Sequence, residues 1–491
     1  MRQETRRMFD RFITFRARQQ PHAVAVRTAR NEVSYRQLDA DIDRFAAELA
    51  GLAVQPSGLV AVRVADQYVH CLVLLAFARL GVATASYGAG QGRVMLPLLR
   101  PDLVIAEAPA TEEQTAGVRA VVIGGGWAEE VLRRPATPQA RPRLDPDGLA
   151  RVMTSSGTTG QPKKLGMSWR RLERAMQRIV FVNASSNALS RLMSVIGVES
   201  GALTALLAAW SIGGAVLFGP QNPADLAAAL PRLAPRGLAM APIQLRLLVD
   251  ALPSGFLPMP ELWIGVSGSH TPRPVRRAAR ERLTSNLLVV YASTEAGTIA
   301  EAHAVHLQDD DAAAGWPLPW AEVEVVDETG RALPPGELGQ IRVRGEDVSD
   351  GYLDDPQATA RHFRDGWFYP GDLGRFAENG MLRVEGRVDE VMNFGGEKFL
   401  PRTMDDAALA CPGVIDAGAF VMPDANGIGT PWIAVVRGEG LSEAALAQAL
   451  RLPGMPPVYV AWVDRIPRNA LGKVQRDQLR QAASGLTKPG S

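Results

Sequence analysis

Cysteine and histidine are scarce in this sequence. Its 491 residues include two cysteines, Cys71 and Cys411, and six histidines, and their spacing matches no metal-binding motif. Two cysteines cannot build a disulfide framework, and such scarcity is typical of proteins from a reducing compartment. The segment Met1–Arg18 also lacks the apolar core of a signal peptide. We therefore expect a cytoplasmic protein without a structural metal site.

An excess of charge of either sign is also missing. The chain carries 53 lysines and arginines against 52 aspartates and glutamates, a net charge of +1. This balance gives no electrostatic reason to expect a nucleic acid or an anionic membrane surface as a partner. Apolar residues make up 46% of the chain and charged residues 21%, which is typical of a globular protein.

Long apolar runs are few, and the longest uncharged stretch is Ser200–Ala224. It is long enough to span a bilayer. However, two adjacent glycines, Gly213 and Gly214, interrupt it, and two prolines lie near its end. We interpret it as a buried helix over Ala202–Trp210 followed by a buried strand over Ala215–Phe218, and therefore expect no membrane span.

The chain is too long for a single core, so two or more domains are expected. A helical pattern over Tyr35–Leu49, a strand over Leu59–Val64 and a helix over Tyr68–Leu80 alternate early in the chain. Such alternation predicts a parallel sheet covered by helices. The stretch Ala108–Gly148 is rich in Ala, Pro and Gly and predicts a surface connection. After Trp320, short alternating strands separated by turns predict a small antiparallel barrel or sheet.

One stretch has the composition of a phosphate-binding loop. Residues 153–164 read MTSSGTTGQPKK, which combines hydroxyls with two glycines and two lysines. Glycines let backbone amides approach a ligand closely, and hydroxyls, amides and a lysine together can surround phosphate oxygens. The spacing is neither that of a Walker loop nor that of a dinucleotide fingerprint. Composition alone is also compatible with a flexible surface loop.

The stretch from Ser156 to Lys163 resembles the phosphate loop S-G-T-T-G-x-P-K of the adenylate-forming superfamily. This superfamily includes acyl- and aryl-CoA ligases, the adenylation domains of peptide synthetases and firefly luciferase. Lys164 departs from the pattern, since the family usually has a small residue there. Three further stretches resemble family motifs in the family's order, namely YASTE at 291–295, WFYPGD at 367–372 and PRNALGK at 467–473.

The resemblance implies a role for each motif. Thr294 would bind the α-phosphate, Glu295 would hold the Mg²⁺ that accompanies ATP, and Lys473 would bridge the substrate carboxylate and the α-phosphate. These three are the predicted catalytic residues. Tyr291 would stack on adenine, and Asp372 would accept hydrogen bonds from the ribose hydroxyls. The residues that would bind ATP or AMP are Ser156, Gly157, Thr158, Thr159, Gly160, Lys163, Gly268, Ser269, Tyr291, Asp372 and Arg387.

The resemblance also implies the fold, which is α/β and multidomain. A large N-terminal AMP-binding domain, residues 1–386, would consist of layered αβ subdomains and a small β-barrel. A small, mobile α+β C-terminal domain, residues 387–491, would rotate about a hinge at Asp389. After that rotation Gly395 and Gly396 would face the site in place of Lys473. His270 is interpreted as a turn residue rather than a base.

The implied activity is that of an ATP- and Mg²⁺-dependent ligase that forms an acyl-adenylate and then a thioester. The thiol would come from CoA or from the phosphopantetheine of a carrier protein. We expect the substrate pocket to include Val198, Glu199, Val266 and Gly297. Its apolar or small residues favour an acyl or aryl acid, whereas pairing of Glu199 with an amine would favour an amino acid. A degenerate nucleotide-binding protein is the alternative from a different class.

Overall fold

The computed structural model describes residues 11–28, 31–107, 118–155, 162–197, 201–307, 310, 312–394, 397–423, 429–468 and 473–483. The first strands are β1 (Val24–Arg27), β2 (Glu32–Ser34), β3 (Leu59–Arg63), β4 (Ala83–Ser86), β5 (Leu103–Ala106), β6 (Ala120–Val122), β7 (Leu149–Ser155) and β8 (Lys163–Ser168). The helices among them are α1 (Arg11–Gln19), α2 (Tyr35–Ala50), α3 (Gln67–Leu80), α4 (Gly92–Leu99), α5 (Trp127–Arg133) and α6 (Trp169–Val182).

The central part of the chain alternates strands and helices in the same way. Its strands are β9 (Arg191–Ser194), β10 (Ala215–Leu217), β11 (Gly237–Met240), β12 (Trp263–Val266), β13 (Asn286–Ser293) and β14 (Gly297–His303). Its helices are α7 (Ala202–Ser211), α8 (Pro223–Leu233), α9 (Pro242–Ala251), α10 (Arg273–Arg282) and α11 (Ala304–Leu307).

The remaining elements are mostly strands. They are β15 (Ala313–Pro317), β16 (Glu322–Val326), β17 (Gly339–Arg344), β18 (Phe363–Arg364), β19 (Trp367–Phe368), β20 (Asp372–Phe376), β21 (Leu382–Arg387), β22 (Met392–Phe394), β23 (Glu397–Phe399), β24 (Val414–Pro423), β25 (Gly429–Arg437) and β26 (Tyr459–Trp462). The helices are α12 (Pro356–His362), α13 (Pro401–Leu409), α14 (Glu443–Ala449) and α15 (Arg476–Ala483). Short 3₁₀ turns occupy Ala188–Ser190 and Val388–Glu390.

Two sheets with parallel strands carry the first three hundred or so residues, as the alternation of strands and helices predicted. One has the strand order β6-β5-β3-β4-β7-β8. The other runs from β2 through β1, β10, β9, β11, β12 and β13 to β14 and continues into the antiparallel strands β15 to β21. The predicted antiparallel segment after Trp320 is therefore an extension of the large sheet.

The core has a layered arrangement of helices and sheets. One buried cluster joins Val60 and Val62 of the six-stranded sheet to Leu192 and Val216 of the large sheet through helices α2, α3, α6 and α7. Helices α8, α9 and α10 cover the other face of the large sheet. Helix α4 covers the outer face of the six-stranded sheet. This layering of helix and sheet confirms the predicted multidomain α/β fold class.

Local sequence signals explain several helix ends. Ser34 caps α2 by accepting a hydrogen bond from the N–H of Gln37, and Asp66 caps α3 in the same way through the N–H of Val69. Helix α3 ends at Gly81, whose φ of 77° is in the left-handed region. The prediction of a plain connection over Ala108–Gly148 is wrong in part, because β6 and α5 lie inside it. Their short, half-exposed pattern gave no periodic signal.

The uncharged stretch contains the predicted buried elements. Helix α7 covers Ala202–Ser211 and strand β10 covers Ala215–Leu217, and both are largely buried in the protein core. Among the residues that the structure describes, no helix combines the length and apolar character needed to cross a membrane.

The C-terminal segment has its own sheet. Strands β24 and β25 are antiparallel, and β26 pairs with β25 in parallel. One buried cluster packs α13 and α14 against this sheet, and a second contains Leu479 of α15. The boundary of this segment near residue 386 remains a prediction.

Lys164, the residue that departs from the family pattern, anchors a distant segment. Its side chain is 8% exposed, and its Nζ lies 2.5 Å from Oδ2 of Asp354. Its carbonyl oxygen also accepts a hydrogen bond from the N–H of Leu353 at 2.9 Å. The same residue therefore holds residues 353–354 against β8 through both backbone and side chain.

We predict that Asp354→Asn destabilises the fold by about 1 kcal/mol, because a buried ammonium loses the anion that compensates it while the carboxylate itself is largely exposed. The hydrogen bond and charge of Lys164 lower the pKa of Asp354. A lowered folded pKa means that the stabilisation is present above the unfolded pKa of about 3.9 and is lost as the pH falls through the folded value. Urea denaturation from pH 7 to pH 3 should therefore show the two proteins converging in acid.

The control for this experiment is Asp464→Asn, which alters an exposed aspartate. It should leave the denaturation midpoint unchanged. Equal losses in the two variants, or a difference that persists at the lowest pH, would contradict the pairing.

Candidate active site

The lysine of the predicted phosphate loop lies against a tyrosine from a distant segment. Lys163 begins β8, and its Nζ is 4.8 Å from the centre of the Tyr352 ring and 3.1 Å from Nε2 of His362. Burial lowers the pKa of Lys163, and the charges of Glu295 and Asp355 oppose this effect. The other predicted residues of the loop, Ser156, Gly157, Thr158, Thr159 and Gly160, lie outside the described residues.

His362 is held in one tautomer by its two neighbours. Its Nδ1 is 2.9 Å from the carbonyl oxygen of Tyr369, so this nitrogen carries the proton and donates it. Nε2 then accepts a hydrogen bond from the ammonium of Lys163. Burial, and then the charge of Lys163, lower the pKa of His362, which keeps the ring neutral at neutral pH. Sequence reasoning missed this residue, since it belongs to no motif.

The predicted magnesium ligand is bonded to the same tyrosine. Glu295 lies in the turn between β13 and β14, is 7% exposed, and accepts a hydrogen bond from the hydroxyl of Tyr352 at 2.9 Å through Oε1. Burial and the charge of Glu295 raise the pKa of Tyr352, so the hydroxyl keeps its proton and remains a donor. Lys163, Tyr352 and Glu295 thus form one cluster, drawn from three separated segments.

Arg171 fixes the backbone of the turn that carries Glu295. Its Nη2 donates to the carbonyl oxygens of Glu295 at 2.8 Å and Thr294 at 3.2 Å. The N–H of Ser349 donates to the carbonyl oxygen of Glu295 at 2.8 Å, and Nη1 of Arg171 donates to the Ser349 hydroxyl. Arg171 lies at the start of α6, directly after β8. It therefore links the segment after the phosphate loop to the turn with the predicted catalytic residues, although no motif includes it.

The predicted ribose ligand is held by two donors. Tyr291 donates its hydroxyl to Oδ2 of Asp372 at 2.5 Å, and Arg387 donates Nη1 to Oδ1 at 3.1 Å. A carboxylate offers about four acceptor sites, so Asp372 retains capacity for hydroxyl groups of a ligand. Gly371 has a φ of 83°, and a Cβ there would lie 2.8 Å from Nη2 of Arg387. Glycine is thus required for this turn, and Tyr291, Asp372 and Arg387 are brought together as one group.

The turn after β12 contacts the C-terminal segment. Gly268 has a φ of 98°, a left-handed conformation suited to glycine, and Ser269 follows it. His270 accepts a hydrogen bond at Nε2 from Nη2 of Arg402, at 3.1 Å. Arg402 also donates Nη1 to the carbonyl oxygen of Val384 at 2.6 Å. Burial, followed by the charges of Arg402 and Arg276, lowers the pKa of His270, so its neutral ring suits this acceptor role.

The predicted wall of the substrate pocket is only partly located. Val198 and Glu199 lie outside the described residues. Gly297 has a φ of 68°, and a Cβ there would meet no heavy atom within 4 Å. The side chain of Val266 is fully buried in the core under α8, α9 and α10. We therefore correct the prediction for Val266, because its side chain faces the core. The neighbouring residue Gly265 lies on the opposite, half-exposed face of β12.

The predicted hinge, Asp389, lies near the start of the C-terminal segment, and the predicted catalytic lysine, Lys473, lies near its end. Asp389, in a 3₁₀ turn, accepts a hydrogen bond from Nε of Arg387 at 3.2 Å. Lys473 is half-buried and precedes Val474, which bridges to Arg468. Arg468 donates Nη2 to Oδ1 of Asp416 at 2.7 Å. The backbone that carries Lys473 is thereby tied to β24, while Gly395 and Gly396 lie outside the described residues.

A metal would have to arrive with a ligand. In the part of the chain that the structure describes, no three His, Cys, Asp or Glu side chains form a group that could hold a metal ion. A single carboxylate such as Glu295, combined with phosphate oxygens and water, is the usual environment of Mg²⁺. The residues present therefore fit a magnesium ion that is bound to a nucleotide.

Comparison with known proteins identifies the family of this chain. Residues 13–353 match the family described as AMP-binding enzymes. The chain is 28% identical over 498 residues to an indoleacetate–CoA ligase from Aromatoleum aromaticum, covering 95% of this chain and 96% of that protein.

Two solved structures share the fold. An ATP-bound MatB from Rhodopseudomonas palustris has a TM-score of 0.85 at 24% identity, over 98% of this chain and 100% of that one. An O-succinylbenzoate coenzyme A synthetase from Bacillus subtilis, in complex with ATP and magnesium, has a TM-score of 0.83 at 22% identity, over 95% of this chain and 98% of that one. The family match covers more than half of the chain, and the structural likeness extends over almost all of it. The chain therefore belongs to the family of AMP-binding enzymes, within the adenylate-forming superfamily.

Proposed function

We propose that this chain is an acid–thiol ligase that activates a carboxylic acid with MgATP and transfers the acyl group to CoA. The observation that carries the proposal is the presence of two polar groups that meet at the end of β13, where Tyr291 belongs to one group and Glu295, four positions later, belongs to the other. One group is Lys163 with Tyr352 and Glu295, and the other is Asp372 with Tyr291 and Arg387. The first suits phosphates with their magnesium ion, and the second suits a ribose.

The reaction would proceed in two steps. A carboxylate oxygen attacks the α-phosphorus, the bond from that phosphorus to the bridging oxygen of pyrophosphate breaks, and magnesium pyrophosphate leaves. The thiolate sulfur then attacks the carbonyl carbon of the acyl-adenylate, and the bond from that carbon to the phosphate oxygen breaks to release AMP. The first step converts a poor leaving group into a good one, which makes the second step possible.

The chain's own residues would position and neutralise charge. Lys163 would bind the outer phosphates together with the loop that precedes it, and Glu295 would hold the magnesium ion. Asp372 would accept from the ribose hydroxyls, while Arg387 orients Asp372. Lys473 would stabilise the negative charge that develops between the carboxylate and the α-phosphate. Each role follows from the resemblance and is compatible with the contacts described above.

The alternatives to this proposal differ in the thiol that accepts the acyl group and in the acid that is activated. The thiol could instead be the phosphopantetheine of a carrier protein, and the acid could be an amino acid. A nucleotide-binding protein without catalysis is a further alternative, which the presence of Glu295, Asp372 and Lys473 opposes. Exchange of labelled pyrophosphate into ATP, measured with a panel of fatty, aryl and amino acids, tests the first step. Exchange with no acid would overturn the proposed function.

We predict that Lys163→Ala weakens the binding of MgATP by about ten- to a hundredfold, because a charged hydrogen bond contributes about 1.5–3 kcal/mol. Calorimetric titration with MgATP measures the effect directly. Lys163→Arg is the matched control, since it keeps the charge and should recover part of the affinity. An unchanged dissociation constant in Lys163→Ala would contradict the assignment of the phosphate loop.

We predict that Lys473→Ala lowers the rate of acyl-adenylate formation by about a hundredfold or more, because a group that stabilises developing charge is lost. The same variant should still convert supplied acyl-adenylate to thioester, since the lysine would be withdrawn in that step. Both half-reactions are measured separately, by pyrophosphate exchange and by release of AMP. Equal losses in both steps would show that Lys473 is structural.

The predicted hinge supplies the complementary test. Proline fixes φ, so Asp389→Pro should restrict rotation at the hinge and slow thioester formation more than adenylation. Asp389→Ala is the control, because it removes the carboxylate that contacts Arg387 but leaves the backbone free to rotate. If both variants behave alike, the effect comes from the lost carboxylate rather than from restricted rotation.

A further inference from the structure

One face of the large sheet is half-exposed where strands β11 to β14 lie side by side. Gly265 of β12 pairs in register with Ala239 on one side and with Leu288 on the other. Two residues further along β13, Val290 pairs with Glu301 of β14. Residues in register share a face, as do alternate residues of one strand. These five residues therefore form one surface, and each of them is half-buried.

The opposite face of the same strands is closed. Leu238, Ile264, Val266 and Leu287 are buried in the core that is covered by α8, α9 and α10. The two faces of β12 thus differ in kind, with apolar packing on one side and accessible residues on the other. Strands β12 and β13 lead directly into the turns that carry Gly268 and Glu295, so the half-exposed face ends at these turns.

Gly265 leaves space above this face. A Cβ built at Gly265 would meet no heavy atom within 4 Å, so the missing side chain opens room rather than avoiding a clash. Its backbone is not in the left-handed region, so the conformation does not require glycine. A glycine inside a strand weakens the strand and often marks the close approach of a ligand. Gly265 therefore leaves open space on this face of β12.

Glu301 lies on this surface without a counterion. Among the described residues its carboxylate has no hydrogen bond and no ion pair, and burial alone raises its pKa. Its neighbours on the same face are Val290 in register on one side and Trp316 on the other. A partly buried carboxylate that lacks a cation is unfavourable by itself. Such a group is suited to bind a cation from outside the chain.

His303, which shares this face through its register with Leu288, does not supply that cation. His303, two residues from Glu301, forms ring contacts with Trp263 at 5.3 Å and with His306 at 6.2 Å. Burial, followed by the charge of His306, lowers the pKa of His303, which favours its neutral form. The rings of His303, His306 and Trp316 border the surface at the end away from Glu295.

We propose that Glu301 binds a cationic group at the far end of the substrate acid, so that the preferred substrates are carboxylic acids with a remote amine or guanidine. This inference rests on the proposed acid-activating function. Gly297, in the predicted pocket, and Glu301 are four positions apart on β14, a distance of roughly 13 Å along a strand. The cation therefore lies far from the reacting carboxylate, unlike the amine of an α-amino acid.

The test compares acids of equal length with and without the cation. Pyrophosphate exchange is measured with 8-aminooctanoate and with nonanoate, and the series is extended to 6-aminohexanoate and 10-aminodecanoate to find the best length. At that length, we expect the native enzyme to prefer the acid with the terminal amine to the fatty acid without it. Glu301→Gln keeps the shape of the side chain and should lower kcat/KM for the amino acid by about tenfold or more, mainly through KM. Activity with nonanoate should stay within about twofold.

Charge reversal provides a variant that gains an activity. Glu301→Lys should lose the amino acid and accept the dicarboxylic acid of the same length, because the ion pair is restored with opposite signs. Glu328→Gln, which changes an exposed glutamate, is the matched control and should alter neither substrate. Gly265→Val should lower activity with both acids, because its side chain fills the space above β12.

The outcomes separate the two proposals. If the native enzyme activates nonanoate but shows no preference for any amino acid in the series, and Glu301→Gln changes neither, this inference is overturned while the proposed function stands. If no acid supports exchange, the proposed function fails and this inference fails with it. A tenfold loss confined to the amino acid, with gain of the dicarboxylic acid in Glu301→Lys, establishes the role of Glu301.

Discussion

The hydrogen bond from Tyr352 to Glu295 is the interaction on which the candidate site depends. This hydrogen bond joins the turn after β13 to a segment beyond β17. The ammonium of Lys163, from β8, lies over the ring of the same tyrosine. Three segments separated by more than fifty residues each are thus fixed around one phenol. Without it, the buried carboxylate of Glu295 would lose its side-chain donor, which is costly for a desolvated charge.

The site is built by contacts between its backbone and distant side chains. Arg171 and Ser349 bind the carbonyl oxygens of the turn that contains Thr294 and Glu295. Arg387 joins the carbonyl oxygen of Pro370 at 2.6 Å to the carboxylate of Asp372. The hydrogen bonds of Arg171 and Arg387 are charge-assisted, and such bonds are short and restrict their partners to one geometry. Such restriction is what lets a site stabilise charge without reorganisation during the reaction.

The sequence was informative where a signal is local. Helix α3, for example, begins after the cap Asp66 and ends at Gly81, and both ends are encoded within a few residues. Short patterns likewise predict Tyr291 and Asp372 as ligand-binding residues, and these patterns do not reveal the direct hydrogen bond between them. His362 and Arg171 could not be found in this way, because their partners lie far away in the chain. The error over Val266 has a related cause, since an apolar run does not reveal which of its alternate residues face the core.

Glu295 and Glu301 show how one residue type meets two different environments on one hairpin. Glu295 lies at the turn, where the Tyr352 hydroxyl and the charge of Lys163 compensate its carboxylate. Glu301 lies further along β14, on the half-exposed face, where burial acts on it and the described residues supply no donor. A compensated carboxylate can remain charged and bind a metal that arrives with phosphates. An uncompensated one lowers its energy only by taking up a proton or by binding a cation, which is the physical basis of the role proposed for Glu301.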